Sequence, residues 1–150
     1  MSASESVDYL SFFKHRNEHC RILLSLSEEQ NTAIRENRLD ELLAIIGRKQ
    51  RVLSVMEQEK GQHPEIWEQW QSDRANLNSK NRERCEQLLA ETENILAALV
   101  QMEQQGTMQL EKNRDDTQQQ LEKISRSMHA NDAYYDQSDQ KTHRYLNVGR

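Results

Sequence analysis

The chain is poor in the residues that interrupt helices. Proline occurs once, at Pro64, and glycine occurs four times in 150 residues. Beta-branched residues are scarce, and no alternating apolar and polar run of strand length appears, so a sheet is not expected. With so few breakers over this length, the sequence predicts long helices.

Apolar residues are also in short supply. They make up 35% of the chain, and the mean hydropathy is −1.03, whereas globular domains are typically about 45–50% apolar. The apolar side chains must therefore form stripes rather than a thick core. The longest apolar run, residues 95–100, is far shorter than the roughly 20 residues of a membrane span. The first ten residues lack the basic and apolar regions of a secretory signal, and a cytoplasmic location is predicted.

The sequence offers no recognisable catalytic or metal-binding motif. It contains no P-loop, no GxGxxG and no GxSxG, and none of the five histidines follows a glutamate by three residues, as a helical di-metal site would require. His15, His19 and Cys20 are interpreted as a solvated polar face rather than as metal ligands. We expect no catalytic residue, no metal and no cofactor, and hence no enzyme.

The charge distribution bears on the class of binding partner, and the two cysteines bear on the cellular compartment. The net charge is −5 with both signs interspersed, and because no basic stripe occurs, nucleic-acid binding is not expected. Cys20 and Cys85 are predicted to be reduced and partly buried rather than joined in a disulfide, as is usual in a reducing cytoplasm.

Two helices are predicted in the first 60 residues. The first starts near Ser4 or Ser6 and ends at about Glu36, with Ser27 and Asn31 interrupting its apolar stripe. The stretch ENRLDELL predicts a break, in which Asn37 takes a left-handed cap and Asp40 caps the next helix. The second helix is predicted from about Asp40 to Lys60, and its apolar face consists of Leu39, Leu42, Leu43, Ile46, Leu53 and Met56.

The third segment carries a repeat of eleven residues. Its members are Ile66, Leu77, Leu88, Leu99, Leu110 and Leu121. Eleven residues correspond to three helical turns, so this repeat keeps one stripe on one helix face. We predict a helix from just after Pro64 to about Met128, with a kink near Ser72 or Ser79. Trp67 and Trp70 lie three residues apart and are expected to close the end of the bundle.

Together these segments predict an all-α fold: an elongated up-down-up three-helix bundle, antiparallel and coiled-coil-like, with a long third helix. The bundle is assigned to residues 1–130 and a mobile tail to residues 131–150. The apolar stripe thins beyond Met102, where Gly106, Asn113 and Thr117 occupy it. That half of the helix either packs on the first helix or stays partly exposed for a helix of another chain.

Two stretches resemble the flagellar type III export chaperones of the FlgN type. RLDELLAIIGRKQRVLSVME, residues 38–57, is similar to the second-helix segment of that family. WEQWQSDRANLNSKNRERCEQLLAETENILAAL, residues 67–99, resembles the tryptophan-bearing turn and the helix that follows it. The matching positions in the second stretch are Asn78, Asn81, Leu88, Leu89, Ile95 and Leu99. The resemblance covers roughly residues 5 to 105.

The resemblance implies a cytoplasmic chaperone for flagellum assembly. Such a protein binds the amphipathic terminal helices of hook–filament junction proteins, prevents their premature assembly and delivers them to the export gate. The seam expected to bind this cargo consists of Met102, Leu110, Leu121, Ile124 and Met128. The family also implies gate docking by a tyrosine near the C-terminus, for which the candidates are Tyr134, Tyr135, Tyr145 and Leu146. The alternative for this tail is that it folds back over the bundle.

An alternative hypothesis for the function is independent of the resemblance. A helix with a thin apolar seam is also typical of a structural or adaptor coiled-coil protein, which here would homodimerise through the third helix between Leu99 and Leu121. The predicted partners are therefore junction proteins and the export gate, or a second copy of the chain. Neither membrane insertion nor nucleic acid is expected.

Overall fold

The computed structural model describes residues 7–135, with side chains over residues 7–130. Within that range the chain forms four α-helices and no strand: α1 (Tyr9–Arg35), α2 (Leu39–Gln62), α3 (Ile66–Asp73) and α4 (Ser79–Tyr135). The predicted all-helical class is confirmed. The chain divides into two compact units, and the boundary lies within α4 between Gln109 and Leu110. Most of the predicted tail, residues 136–150, lies outside the described residues.

The ends of α1 and the start of α2 follow from local capping. The carboxylate of Asp8 accepts a hydrogen bond from the backbone N–H of Ser11 at 3.0 Å and caps α1, which therefore begins at Tyr9, three residues after Ser6. Asn37 has a φ of 55°, which is the predicted left-handed residue of the break. The predicted cap at Asp40 is wrong, because α2 begins at Leu39 and Asp40 lies in its first turn.

The predicted third helix is divided in two. After the turn at His63 and Pro64, α3 ends at Asp73, and a short 3-10 turn, Arg74–Asn76, leads to α4. The side chain of Asn78 accepts a hydrogen bond from the backbone N–H of Asn81 at 2.8 Å and so caps the new helix. The break falls where a kink is predicted. The backbone of α4 continues helical to Tyr135, beyond the end expected near Met128.

An aromatic cluster joins α1, α3 and the start of α4. Its buried members are Tyr9, Phe13, Ile66, Trp70, Cys85 and Leu88. The Trp70 ring meets the rings of Tyr9 and Phe13 edge to face, with centroids 5.4 and 5.2 Å apart. The hydroxyl of Tyr9 donates to Asp73 Oδ2 at 2.7 Å, and burial together with this bond raises the pKa of Tyr9 well above its ordinary value. Trp70 closes this end of the bundle as predicted, but Trp67 is 40% exposed.

Contacts along α1 give the direction of the helices in the first unit. Gln30 accepts a hydrogen bond from Lys49, and His19 Nδ1 lies 3.7 Å from Glu59 Oε2, so α1 and α2 run in opposite directions. Asn17 pairs with Thr92 and Ser27 with Glu103, so that α1 and α4 run in the same direction. A second core cluster, formed by Leu26, Ala33 and Ile45 with Leu42 and Val52 packed against it, lies between α1 and α2.

Half of the predicted apolar face of α2 is exposed: Leu42, Ile46 and Met56 are half-buried, whereas the other three residues face solvent. Ile45 is the only buried residue of this helix, and the sequence-based face omitted it. Leu39 and Leu43 are each 67% exposed, and Leu53 is 47% exposed. The helix therefore carries apolar residues on two sides, and α1 covers the side of Ile45 and Val52.

Candidate functional site

The distal part of α4 carries an exposed apolar face. Leu110, Leu121 and Ile124 are 47%, 61% and 53% exposed, and Met128 is half-buried. Leu121, Ile124 and Met128 follow one another at spacings of three and four, so they share one helix face, and Leu110 precedes Leu121 by three turns on the same face. We call this set, Leu110, Leu121, Ile124 and Met128, the α4 face.

Burial declines along the eleven-residue repeat. Ile66 and Leu88 are buried, Leu77 and Leu99 are half-buried, and Leu110 and Leu121 are exposed. The same repeat is therefore buried at one end and exposed at the other: its first residues belong to a core, and its last residues face solvent. The apolar side chains at its exposed end are the ones available to a partner.

Met102, the first residue of the predicted cargo seam, is not part of the α4 face. It lies in the contact between α1 and α4 and is half-buried. Its carbonyl oxygen accepts a hydrogen bond from Asn31 Nδ2 at 2.9 Å, and its sulfur lies 3.7 Å from the same nitrogen. Met102 therefore helps to hold two helices together in the first unit.

The predicted gate-docking residues fall at the limit of the described chain. Tyr134 and Tyr135 are helical in their backbone, in the last turn of α4, but their side chains lie outside the described residues. Tyr145 and Leu146 lie outside them altogether. Their role stays a prediction.

A polar junction joins three helices of the first unit. Glu103 on α4 accepts a hydrogen bond from Ser27 Oγ on α1 at 2.7 Å and forms a short ion pair with Lys49 Nζ on α2. Lys49 also donates to Gln30 Oε1 at 2.9 Å. Burial raises the pKa of Glu103, but the bonds from Lys49 and Ser27 outweigh it, so that the pKa lies below its usual value. We call Ser27, Gln30, Lys49 and Glu103 the polar junction.

Sequence reasoning missed this junction because it treated polar residues in an apolar stripe as interruptions. Ser27 and Asn31 are instead buried, and both donate hydrogen bonds to α4. The sequence feature that could have indicated a polar contact between α1 and α4 is the presence of Ser27 and Asn31 in one apolar stripe and of Gly106 in the other. Gly106 is buried against Asn31, and a Cβ there would stand 2.6 Å from Asn31 Oδ1.

A half-open groove of about 370 Å³ lies between α1, α2 and α3. Phe12, Leu53, Met56 and Trp67 form its apolar wall, and Arg16, Glu57, Glu59 and Lys60 supply charges of both signs. The guanidinium of Arg16 lies over the Trp67 ring, 5.0 Å from its centroid. The exposed Trp67 thus lines this groove.

The described residues contain no cluster of three or more metal-ligating side chains. His15 and His19 instead approach Glu59, at 4.0 and 3.7 Å. Cys20 and Cys85 are buried free thiols, and burial raises the pKa of each. None of the helices within residues 7–135 combines the length and apolarity that crossing a bilayer requires. Comparison of the chain with protein-family models, curated proteins and solved structures finds no match.

Proposed function

We propose that the protein is a non-enzymatic cytoplasmic export chaperone that binds an amphipathic helix from a flagellar hook–filament junction protein. The observation that carries this proposal is the α4 face, on which Leu121 and Ile124 are more than half exposed. An apolar stripe on a helix is normally buried against another element. A partner helix with a complementary apolar stripe would cover the α4 face in the helix-to-helix mode.

The composition of the α4 face suits a reversible complex. Leucine and isoleucine provide its strongest anchors, whereas Thr117 and Arg114 occupy the intervening turns between Leu110 and Leu121. Polar residues within an apolar seam lower affinity. A chaperone must release its cargo for export, so such a seam serves delivery better than continuous leucine. The resemblance of residues 38–57 and 67–99 to the FlgN type supports the choice of cargo.

In this proposal the helices form an up-down-up bundle, and the α4 face remains free for the cargo helix. The opposite directions of α1 and α2 and the common direction of α1 and α4 support it. The bundle holds the start of α4, and the cargo helix pairs with the α4 face. Gate docking by the tyrosines near the C-terminus belongs to the same proposal.

Calorimetric titration with a synthetic terminal helix of a junction protein tests the proposal. We expect saturable one-to-one binding to the full chain. The double variant L121D/I124D should bind at least about tenfold more weakly, because it places two charges in the apolar contact. Q119D is the matched control: Gln119 is exposed on the opposite side of α4 by helical periodicity, and its binding should equal that of the wild type.

Two results would contradict the proposal. One is the absence of measurable binding to the wild-type chain. The other is equal binding by L121D/I124D, with circular dichroism showing both variants folded. If the wild type forms a stable dimer and the L121D/I124D substitutions dissociate it, the result would instead favour the structural coiled-coil function. In that case the α4 face binds the α4 face of a second copy of the chain.

A further inference from the structure

A second seam, apolar at four of its five positions, runs along α2 beside the side that packs on α1, and its last residue, Leu53, also lines the groove between α1, α2 and α3. Its residues alternate at spacings of four and three, which is the heptad pattern of a coiled coil. They are Leu39, Leu43, Ile46, Gln50 and Leu53. Leu39, Leu43 and Leu53 are exposed and Ile46 is half-buried. We call this set the α2 seam.

Unpaired charges of opposite sign accompany the α2 seam. Asp40 and Arg51 are exposed and form no ion pair with any described residue. They are eleven residues apart, which is three helical turns, so both lie on the same flank of the seam. Glu41, by contrast, is already bonded to Arg38 at 3.1 Å.

This charge pattern selects the orientation of a helix that pairs with the seam. In an antiparallel pair of identical helices, each flank faces the same flank of the other copy, whereas in a parallel pair opposite flanks meet. When Leu43 of one copy lies beside Ile46 of the other, Asp40 comes within two residues of being level with Arg51. The twofold symmetry of such a pair repeats this contact, so both charges in both copies find a partner.

Gly47 leaves the same flank without a side chain. It lies near the centre of the seam, and a Cβ at this position would meet nothing within 4 Å. A glycine in an exposed helix interior costs about 1 kcal/mol relative to alanine. Its bare backbone allows a second helix to approach closely at the twofold axis.

We infer that the α2 seam binds a second copy of this chain, forming an antiparallel homodimer through α2–α2 pairing with Asp40 opposite Arg51. This dimer uses a surface distinct from the α4 face and does not rest on the proposed chaperone function. It assigns a role to the leucines of α2 that the core leaves exposed.

Sedimentation equilibrium of the full chain over a range of concentrations tests the inference. The wild type should approach twice its monomer mass of 17.7 kDa. L43D should weaken dimerisation by at least about tenfold, since it places a charge at the centre of an apolar interface in both copies. Because Leu43 is exposed in the monomer, L43D should keep its helical circular dichroism.

Charge reversal tests the orientation. D40R and R51D should each weaken the dimer by about fivefold, because each leaves two like-charge contacts, and the double variant D40R/R51D should restore wild-type affinity. V55D is the matched control, because Val55 is 42% exposed on α2 but lies off the seam. The dissociation constant of the V55D dimer should equal that of the wild-type dimer. L121D, on α4, should also leave it unchanged.

Three results would overturn the inference: a monomeric wild type at every concentration, a dimer that L121D rather than L43D dissociates, or a failure of D40R/R51D to recover affinity. Binding of the junction-protein helix is measured separately, by the calorimetric titration. A chain that dimerises through α2 but binds no such helix would overturn only the chaperone proposal.

Discussion

The bare α-carbon of Gly106 on α4 lies directly against the side chain of Asn31 on α1. A Cβ at Gly106 would stand 2.6 Å from Asn31 Oδ1, which is closer than carbon and oxygen tolerate. Asn31 is held in this position because its Nδ2 donates to the carbonyl oxygen of Met102 at 2.9 Å. The contact between α1 and α4 therefore depends on the absence of a side chain at Gly106.

The variant G106A should lower the free energy of unfolding by about 1 kcal/mol, measured by urea denaturation. Alanine favours the helix by roughly 1 kcal/mol, but it displaces Asn31, and a buried amide without its hydrogen bond costs about 1–3 kcal/mol. In an N31A background the displaced group is gone, so G106A should there be stabilising. An equal effect of G106A in both backgrounds would show that the contact with Asn31 does not matter.

The polar junction should make stability depend on pH in the acid range. The pKa of Glu103 lies below its ordinary value of 4.5, so the folded state binds the proton less readily than the unfolded chain. This stabilisation is present above the unfolded pKa and is lost as the pH falls through the folded pKa. Compared with E103Q, the wild type should lose more free energy of unfolding between neutral pH and pH values below 4.5.

The control for E103Q is E93Q. Glu93 is exposed and forms no ion pair with described residues, so E93Q should follow the wild-type curve. Identical pH profiles for E103Q and the wild type would contradict the role of the polar junction. Because the Glu103 side chain is 45% exposed, solvent screening limits the effect to about 1 kcal/mol or less.

The two tryptophans should differ in fluorescence. Trp70 is 4% exposed within the aromatic cluster, whereas Trp67 is 40% exposed. In W67F, where Trp70 is the only emitter, the emission should lie to the blue and acrylamide should quench it weakly. In W70F, the emission of Trp67 should lie to the red and be quenched readily. Equal quenching constants in the two variants would contradict the placement of these rings.

Both thiols should be protected in the folded protein. Cys20 and Cys85 are 0% and 1% exposed, and burial raises the pKa of each, in Cys20 against the opposing charge of Arg16. The thiolate is the reactive form, so a chromogenic disulfide reagent should react slowly in native buffer and fully in urea. S25C, at an exposed position of α1, should add one rapidly reacting thiol. Immediate reaction of both native thiols would exclude this burial.

The sequence alone determined the helical class and the positions of the chain breaks. Scarce proline and glycine leave few places to turn. Pro64 marks one of them because it fixes φ and lacks an N–H, and Asn37 marks another because asparagine tolerates the left-handed conformation. The alignment of Leu110 with Leu121 on one helix face also followed from the sequence, since a period of eleven residues aligns them whatever surrounds them. Whether α1 covers that face did not follow from it.

The tertiary structure alone decided which side of α2 is buried and what the polar residues of α1 do. Periodicity identifies a helix face, but α2 carries apolar residues on two sides, and the shape of α1 around Leu26 and Ala33 selects Ile45 and leaves Leu39 and Leu43 to solvent. Ser27 likewise interrupts the apolar stripe of α1 in the sequence, but in the fold its hydroxyl donates to Glu103 of α4, which is itself paired with Lys49 of α2. Local sequence fixes the conformation of each helix, whereas the burial of its side chains depends on residues that are distant in the chain.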